Sequence, residues 1–279
     1  FEPDLIHETY YNSIKRNNSR VKKIITVYDM IHEIFSDQYY KKDKTLEQKK
    51  FAIKDSDHII CVSKNTQKDL VRILDIDIDK TSVVHLGHSL SVRKEKNHDV
   101  NERPYLLYVG ARDGYKNFSR FVEAYAASPK IKNSFDIIMF GNDVFTKDEV
   151  QIFEKLNIKM TNVKAVNGDD AKLANYYRNA SLFVYPSLYE GFGIPPLEAM
   201  GYGCPVVCSN TSSIPEVVGD AAILFDPYSL DSISNAIETV LTNNHLRSSL
   251  ISRGFEQIQK FSWKKCADET LDVYKKVLQ

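Results

Sequence analysis

Two glutamates, Glu190 and Glu198, stand eight positions apart in the stretch YPSLYEGFGIPPLEAMGYGCPVV, residues 185–207. Between them lie Gly191, Gly193 and the pair Pro195–Pro196. Glycines free the backbone from Cβ hindrance, so the chain can turn sharply and press close to a ligand. A proline costs nothing at the first helical position, where its missing N–H would have no partner anyway. We therefore expect Pro195 or Pro196 to open a helix. The open N–H groups of its first turn, with the helix dipole, favour an anion such as a diphosphate. Glu198, expected in that first turn, suits a sugar hydroxyl better than a phosphate. Together the pattern fits a site that holds a phosphorylated sugar by its two ends. A plainer reading stays open, with Glu190 a solvated loop charge and Glu198 a partner for the helix dipole.

A second constellation is VGARDGYKNF, residues 109–118, which follows a strand-like run and precedes a helical one. Arg112 and Lys116 projecting from such a loop would clamp the charge that builds on a departing diphosphate. Tyr28 and Asp29 end the run ITVYDM, and Ser209 and Thr211 end PVVCSNT, so both pairs are expected at the carboxyl ends of strands. His7 is either a cleft residue or a core and capping histidine. The acidic runs DSD (55–57) and DIDID (75–79) read as turn and capping residues rather than a metal site. We expect no metal and no cofactor. The four cysteines, Cys61, Cys204, Cys208 and Cys266, read as free thiols of a reducing, cytoplasmic setting, because Cys204 and Cys208 on one strand point awkwardly for a shared metal.

The elements that must position these residues are legible as alternating strands and helices. LIHE (5–8), KKIITVYDM (22–30), HIICVS (58–63) and TSVVHLG (81–87) read as strands, with a helix over 45–57. Ser63 is a good N-cap for a helix over KNTQKDLVRIL. Residues 88–103 are polar and aperiodic, which marks a linker. Beyond Pro104 the alternation becomes strict. Strands at 105–110, 135–141, 162–166, 182–186 and 205–209 are separated by helices, a strand at 221–225 follows directly on that at 205–209, and two or three helices close the chain. Such alternation means an α/β protein with doubly wound parallel sheets. Ligands then belong at the carboxyl ends of the strands.

Bulk properties narrow the classes. The chain has 279 residues, 37 basic and 37 acidic, with 43% hydrophobic and 27% charged positions. That is ordinary for a globular α/β protein and long enough for two cores. No block of Lys and Arg suggests a nucleic-acid surface, and no run of about 18 apolar residues suggests a membrane span.

The segment YEGFGIPPLEAMGYGCPVVCSNTSSIPEVVGDAAILFDP resembles the signature of retaining glycosyltransferases of the GT-B fold, family four, in which two glutamates are separated by seven residues. The likeness covers nearly all of 104–279 and continues upstream into TVYDM and DHIICVS. It implies two Rossmann-like domains: residues 1–95 as an incomplete N-terminal, acceptor-side domain, 96–262 as the donor-nucleotide domain, and 263–279 as a helix crossing back onto the first. It implies Glu198 on the nucleotide ribose, Glu190 beside the donor sugar, and backbone contacts to that sugar from Gly191, Phe192, Gly193 and Ile194. Arg112 and Lys116 take the diphosphate, although Ala111 sets Arg112 one position later than is usual. Tyr28 and Asp29 stand where many relatives carry His-Asp or a lone His against the donor sugar. Pro215 and Glu216 match a structural Pro-Glu turn.

The resemblance further implies a nucleotide-sugar donor, GDP-mannose above others, and a glycan or lipid-linked acceptor, with any membrane association running through that acceptor or a face outside the chain. With only about 90 residues before the linker, the first domain reads as truncated. A non-catalytic sugar-nucleotide-binding module is the alternative. A nicotinamide-dependent oxidoreductase is disfavoured, because no G-x-G-x-x-G follows the 105–110 strand.

Overall fold

The computed structural model describes residues 3–11, 20–38, 44–89 and 103–279. Its first stretch holds β1 (Leu5–Glu8), β2 (Lys22–Val27), α1 (Ile31–Ile34), α2 (Thr45–Lys54), β3 (His58–Cys61), α3 (Lys64–Leu74) and β4 (Thr81–Val83). After residue 103 come β5 (Tyr105–Val109), α4 (Phe118–Ala127), α5 (Pro129–Ser134), β6 (Asp136–Phe140), α6 (Lys147–Lys155), β7 (Val163–Val166) and α7 (Asp170–Asn179). Then follow β8 (Leu182–Tyr185), α8 (Ile194–Gly201), β9 (Val206–Ser209), α9 (Ile214–Val218), β10 (Ile223–Phe225), α10 (Leu230–Thr242), α11 (Asn244–Ile258) and α12 (Trp263–Leu278).

The chain divides into two compact units. One comprises the described residues of Phe1–Ser89 with Glu190–Phe192 and Phe261–Gln279; the other comprises those of Leu90–Tyr189 with Gly193–Lys260. The expected boundary at 95/96 falls outside the described residues. For three residues, Glu190–Phe192, the chain leaves the second unit for the first and then returns.

The first unit is built on a parallel sheet in the order β1-β2-β3-β4. Ile24, Ile60 and Val84 pack with Val273 of α12, and Leu5, Cys266, Tyr274 and Val277 lie against them. The sheet is thus covered by the last helix of the chain. At the N-terminus of α3, Ser63 is extended and accepts a hydrogen bond from the Thr66 N–H, as its residue type predicts. The expected helix over 45–57 stops at Lys54. Asp55 and Asp57 leave it because both bind the buried Lys23: Asp55 through Nζ at 2.8 Å and Asp57 through the backbone N–H at 2.8 Å.

The second unit carries a six-stranded sheet, all parallel, in the order β10-β9-β8-β5-β6-β7. Counted within the unit this is the doubly wound order, with direction reversing between β5 and β8. Strands β6, β8 and β9 are buried along their whole length, which explains apolar runs with no alternation. Tyr108, Phe118, Phe121, Val122 and Tyr125 join Leu182 and Val184 in its core. Three short helices, α1, α5 and α9, were not foreseen, being too brief for a periodic signal. Among the described residues no helix is long and apolar enough to cross a membrane.

Candidate functional site

In the second unit the loops that leave β5 and β8 meet at the reversal of strand order. The β5 loop ends in a tight turn, Gly114–Lys116, and Asn117 follows in the left-handed region at φ 58°, which asparagine tolerates. Asn117 Nδ2 donates to the Pro186 and Pro227 carbonyls at 3.0 Å, and the Leu188 N–H donates to the Tyr115 carbonyl at 2.8 Å. Thr211 Oγ1 donates to the Leu188 carbonyl at 2.9 Å, and the buried Ser209 hydroxyl reaches the Tyr185 carbonyl at 3.4 Å. Ser209 and Thr211 therefore brace the loop after β8.

Tyr185, the last residue of β8, is the common floor. Lys116 Nζ lies 6.0 Å from the centre of its ring and 5.2 Å from that of Tyr115. A Cβ on Gly193 would lie 3.7 Å from Tyr185 Cε1. The amino end of α8 and the Lys116 ammonium thus border one aromatic ring at the strand-order switch. Gly193 takes φ 100°, a conformation that L side chains rarely adopt, and no side chain caps the helix it precedes.

Two expectations for α8 need correction. The helix begins at Ile194, so Pro195 is its second residue and Pro196 its third. With two of the first three residues lacking N–H, an anion there meets the Gly193 and Ile194 amides and the dipole rather than a full set of donors. Glu198 is the fifth residue and lies in the second turn, not the first. Its partner is Tyr177, whose hydroxyl donates to Oε2 at 3.1 Å. Burial raises the Glu198 pKa, the Tyr177 hydroxyl opposes that shift, and Asp170 adds to it.

Arg112 belongs to a different arrangement. Its guanidinium pairs with Glu149 through Nε and Nη2, donates to the Asn142 and Val144 carbonyls at 2.6 Å each, and stacks over Phe145. The side chain is 6% exposed. Most of its donors are thus committed to the loop after β6 and to Glu149, which also caps α6 through Thr146. Burial pushes the Glu149 pKa up, but the hydrogen bonds from Arg112 and Thr146 outweigh it and hold the carboxyl below its usual value.

The first unit gathers the other expected residues. Glu190, Gly191 and Phe192 are all buried. The Gly191 carbonyl accepts from Ser63 Oγ at 2.6 Å and Thr66 Oγ1 at 3.1 Å, both at the amino end of α3. A Cβ on Gly191 would sit 1.7 Å from the Tyr28 carbonyl oxygen, so only glycine fits against that turn. The Phe192 ring packs with His85 at 5.9 Å and Phe261 at 5.6 Å between centroids. Tyr28 is half-buried, and burial raises its phenol pKa. Asp29 Oδ1 accepts from the Ile31 N–H at 3.0 Å and lies 3.5 Å from the Nζ of the fully buried Lys49. Lys49 also donates to the Asp29 carbonyl and to Glu33, both at 2.9 Å, which fixes the 28–31 turn.

His7 takes the core option: its ring nitrogens pair with the Tyr274 and Thr26 hydroxyls at 2.6 and 2.8 Å, and burial lowers its pKa. Pro215 and Glu216 lie in the first turn of α9. All four cysteines are free, and burial pushes the Cys61 and Cys204 thiols up to about 12. Among the described residues no three His, Cys, Asp or Glu side chains cluster as metal ligands would. Sequence reasoning missed Tyr177, Glu149, Lys49 and the Thr66 hydroxyl. A buried Tyr on the helix preceding β8 carries no motif, whereas Thr66, third after an N-cap serine, was a signal within reach.

The two parallel α/β sheets are those of the GT-B fold. Residues 92–257, more than half of the chain, match the model of the family described as glycosyl transferases group 1, and the chain belongs to that family. It is 29% identical over 270 residues to the O-antigen chain mannosyltransferase B of Escherichia coli, covering 92% of this chain and 71% of that protein. It is 25% identical to the serotype-specific mannosyltransferase WbdA of Escherichia coli, covering 98% of this chain but only 36% of that longer protein. Among solved structures, sucrose-phosphate synthase from Thermosynechococcus elongatus superposes with a TM-score of 0.76 at 21% identity, covering 98% of this chain and 73% of that one. Anabaena HepE in complex with UDP-glucose superposes with a TM-score of 0.75 at 17% identity, covering 92% and 73%.

Proposed function

We propose that the protein transfers a hexosyl group from a nucleotide diphosphate donor to a glycan or lipid-linked acceptor, with retention and without a metal. GDP-mannose is the favoured donor. The observation that carries this reading is the ring of Tyr185, which both the Lys116 cation and the tip of α8 border at the strand-order switch. That is where a doubly wound sheet takes its ligand, and a cation beside a helix N-terminus suits a diphosphate. The two Escherichia coli relatives are named mannosyltransferases, which supports a mannosyl donor.

In this reading Glu198, held by Tyr177, takes the ribose hydroxyls. Lys116 and the Gly193 and Ile194 amides meet the negative charge that grows on the diphosphate as the anomeric C–O bond breaks. Glu190 and the amides that follow it hold the donor sugar. The acceptor oxygen bonds to the anomeric carbon on the face the leaving group vacates, and its proton passes to the departing phosphate oxygen. Arg112 contributes indirectly, by tying the loops after β5 and β6 to α6. A lipid-linked acceptor would bring the protein to a membrane surface.

The test is incubation of the full-length protein with GDP-mannose, with and without chelator, following donor loss and the anomeric proton of the product by NMR. A product with the donor's configuration, formed equally in chelator, is expected. An inverted product would remove retention, and activity lost in chelator would remove metal independence. Binding without consumption would favour the non-catalytic module, which has Tyr28 in its support, since relatives often carry histidine there.

A further inference from the structure

Gly191's carbonyl is saturated by one helix end. A carbonyl oxygen has two lone pairs, and here both are used by hydroxyls that are themselves 0% exposed, Ser63 and Thr66. The hydrogens balance. The Ser63 and Thr66 hydroxyls also lie 3.1 Å apart, but Ser63 has one hydroxyl proton and sends it along the shorter 2.6 Å contact to Gly191 while accepting from the Thr66 N–H at 3.0 Å; Thr66 sends its own proton to Gly191. Capping a helix needs only the first of these residues, so the Thr66 hydroxyl is surplus to the cap. What it adds is a second grip on the peptide between Gly191 and Phe192. That peptide is trans, since no cis bond occurs among the described residues, so its N–H points opposite to its carbonyl. Pinning the Gly191 oxygen against α3 therefore aims the Phe192 N–H away from α3 and sets the direction in which the backbone at Glu190 enters the segment. On the other flank, the Tyr28 carbonyl leaves no room for the segment to shift.

We infer that Ser63 and Thr66 are positioning residues: their paired hydroxyls hold the Gly191–Phe192 peptide plane so that Glu190 and the Phe192 amide present themselves to the donor sugar. The inference rests on the proposed transfer reaction for its catalytic consequence but not for the grip itself.

Thr66→Val is the informative variant, because it keeps shape and leaves the Ser63 cap intact, whereas Ser63→Ala would remove cap and grip together. Two readouts are needed on the full-length protein. Hydrogen exchange followed by mass spectrometry should show the peptide over 189–193 exchanging about tenfold faster in Thr66→Val, the scale of one lost buried hydrogen bond, with β2 and β3 unchanged. Steady-state turnover of GDP-mannose should show kcat down about tenfold with KM unchanged, and Thr66→Ser should restore both readouts. Wild-type exchange over 189–193 in Thr66→Val would overturn the grip. Faster exchange with unaltered kcat in a turning-over protein would overturn the positioning role. If the wild type neither binds nor consumes any sugar nucleotide, the proposed reaction and the role built on it fall together, and the exchange data still decide the grip.

Discussion

Replacing Gly191 with alanine is the sharpest perturbation the structure offers. The new Cβ would lie 1.7 Å from the Tyr28 carbonyl oxygen, 2.7 Å from its carbon and 2.9 Å from Asp29 Cβ. The nearest obstacles are backbone, so no side-chain rotation relieves the clash. Gly191 has no positive φ, so the whole cost is steric. Moving from 1.7 Å to the 3.0 Å that real Cβ contacts respect means a shift of about 1.3 Å. A shift of that size takes the Gly191 carbonyl beyond Thr66 Oγ1, already at 3.1 Å, and strains the Ser63 bond at 2.6 Å. Losing two buried hydrogen bonds, with partners left partly unsatisfied, costs about 2–4 kcal/mol. A catalytic group displaced by about 1 Å loses roughly 100-fold in rate. Thermal melting should therefore fall by several degrees and kcat for donor consumption by roughly two orders of magnitude. GDP affinity, measured by calorimetry, should stay within a few-fold, because its proposed contacts lie in the other unit. An alanine variant that melts within a degree of wild type and turns over at a comparable rate would refute the close approach at Gly191 and its bearing on Glu190.

The remaining predictions separate binding from structure. Glu198→Gln should weaken GDP binding at least tenfold yet raise the melting temperature at pH 7.5. Burial raises the Glu198 pKa, so its stabilising contribution is present below the ordinary carboxyl value of 4.5 and is lost as pH rises through the folded value; the melting difference should close as pH falls toward 4.5. Lys116→Met should lower kcat by about 100- to 1,000-fold with little change in melting, the pattern of lost leaving-group stabilisation. Arg112→Met should behave oppositely, lowering stability by about 3 kcal/mol because it strands the largely buried Glu149. The folded Glu149 pKa is depressed, so the stability that pair supplies exists above 4.5 and fades as pH falls, which a melting series across pH 3–7 will show.

Much of the architecture was legible because parallel sheets announce themselves. Buried strands such as LFVY and VVCS are unbroken apolar runs, and the Ser63 cap is a local chemical signal. Where the reading slipped, tertiary contacts overrode local pattern. Asp55 and Asp57 shortened α2 by binding Lys23, and Gly193 started α8 before either proline. Glu190 and Glu198 were visible as a pair, but their surroundings were not. Tyr177 reaches Glu198 from 21 residues away, and the Gly191 carbonyl is held by hydroxyls more than 120 residues upstream. Arg112 shows the same limit. Its type and loop suggested an anion clamp, while the Glu149 that occupies it is 37 residues on and has no motif linking the two.

The central claim is that the β5/β8 switch, with Lys116 and the tip of α8, receives a nucleoside diphosphate. Isothermal titration of GDP and UDP into the wild type and Lys116→Met tests it directly. The account predicts saturable GDP binding by the wild type, tighter than UDP, and at least a tenfold loss in Lys116→Met. Absence of binding by either nucleotide at millimolar concentration, or equal affinity in both proteins, would contradict it.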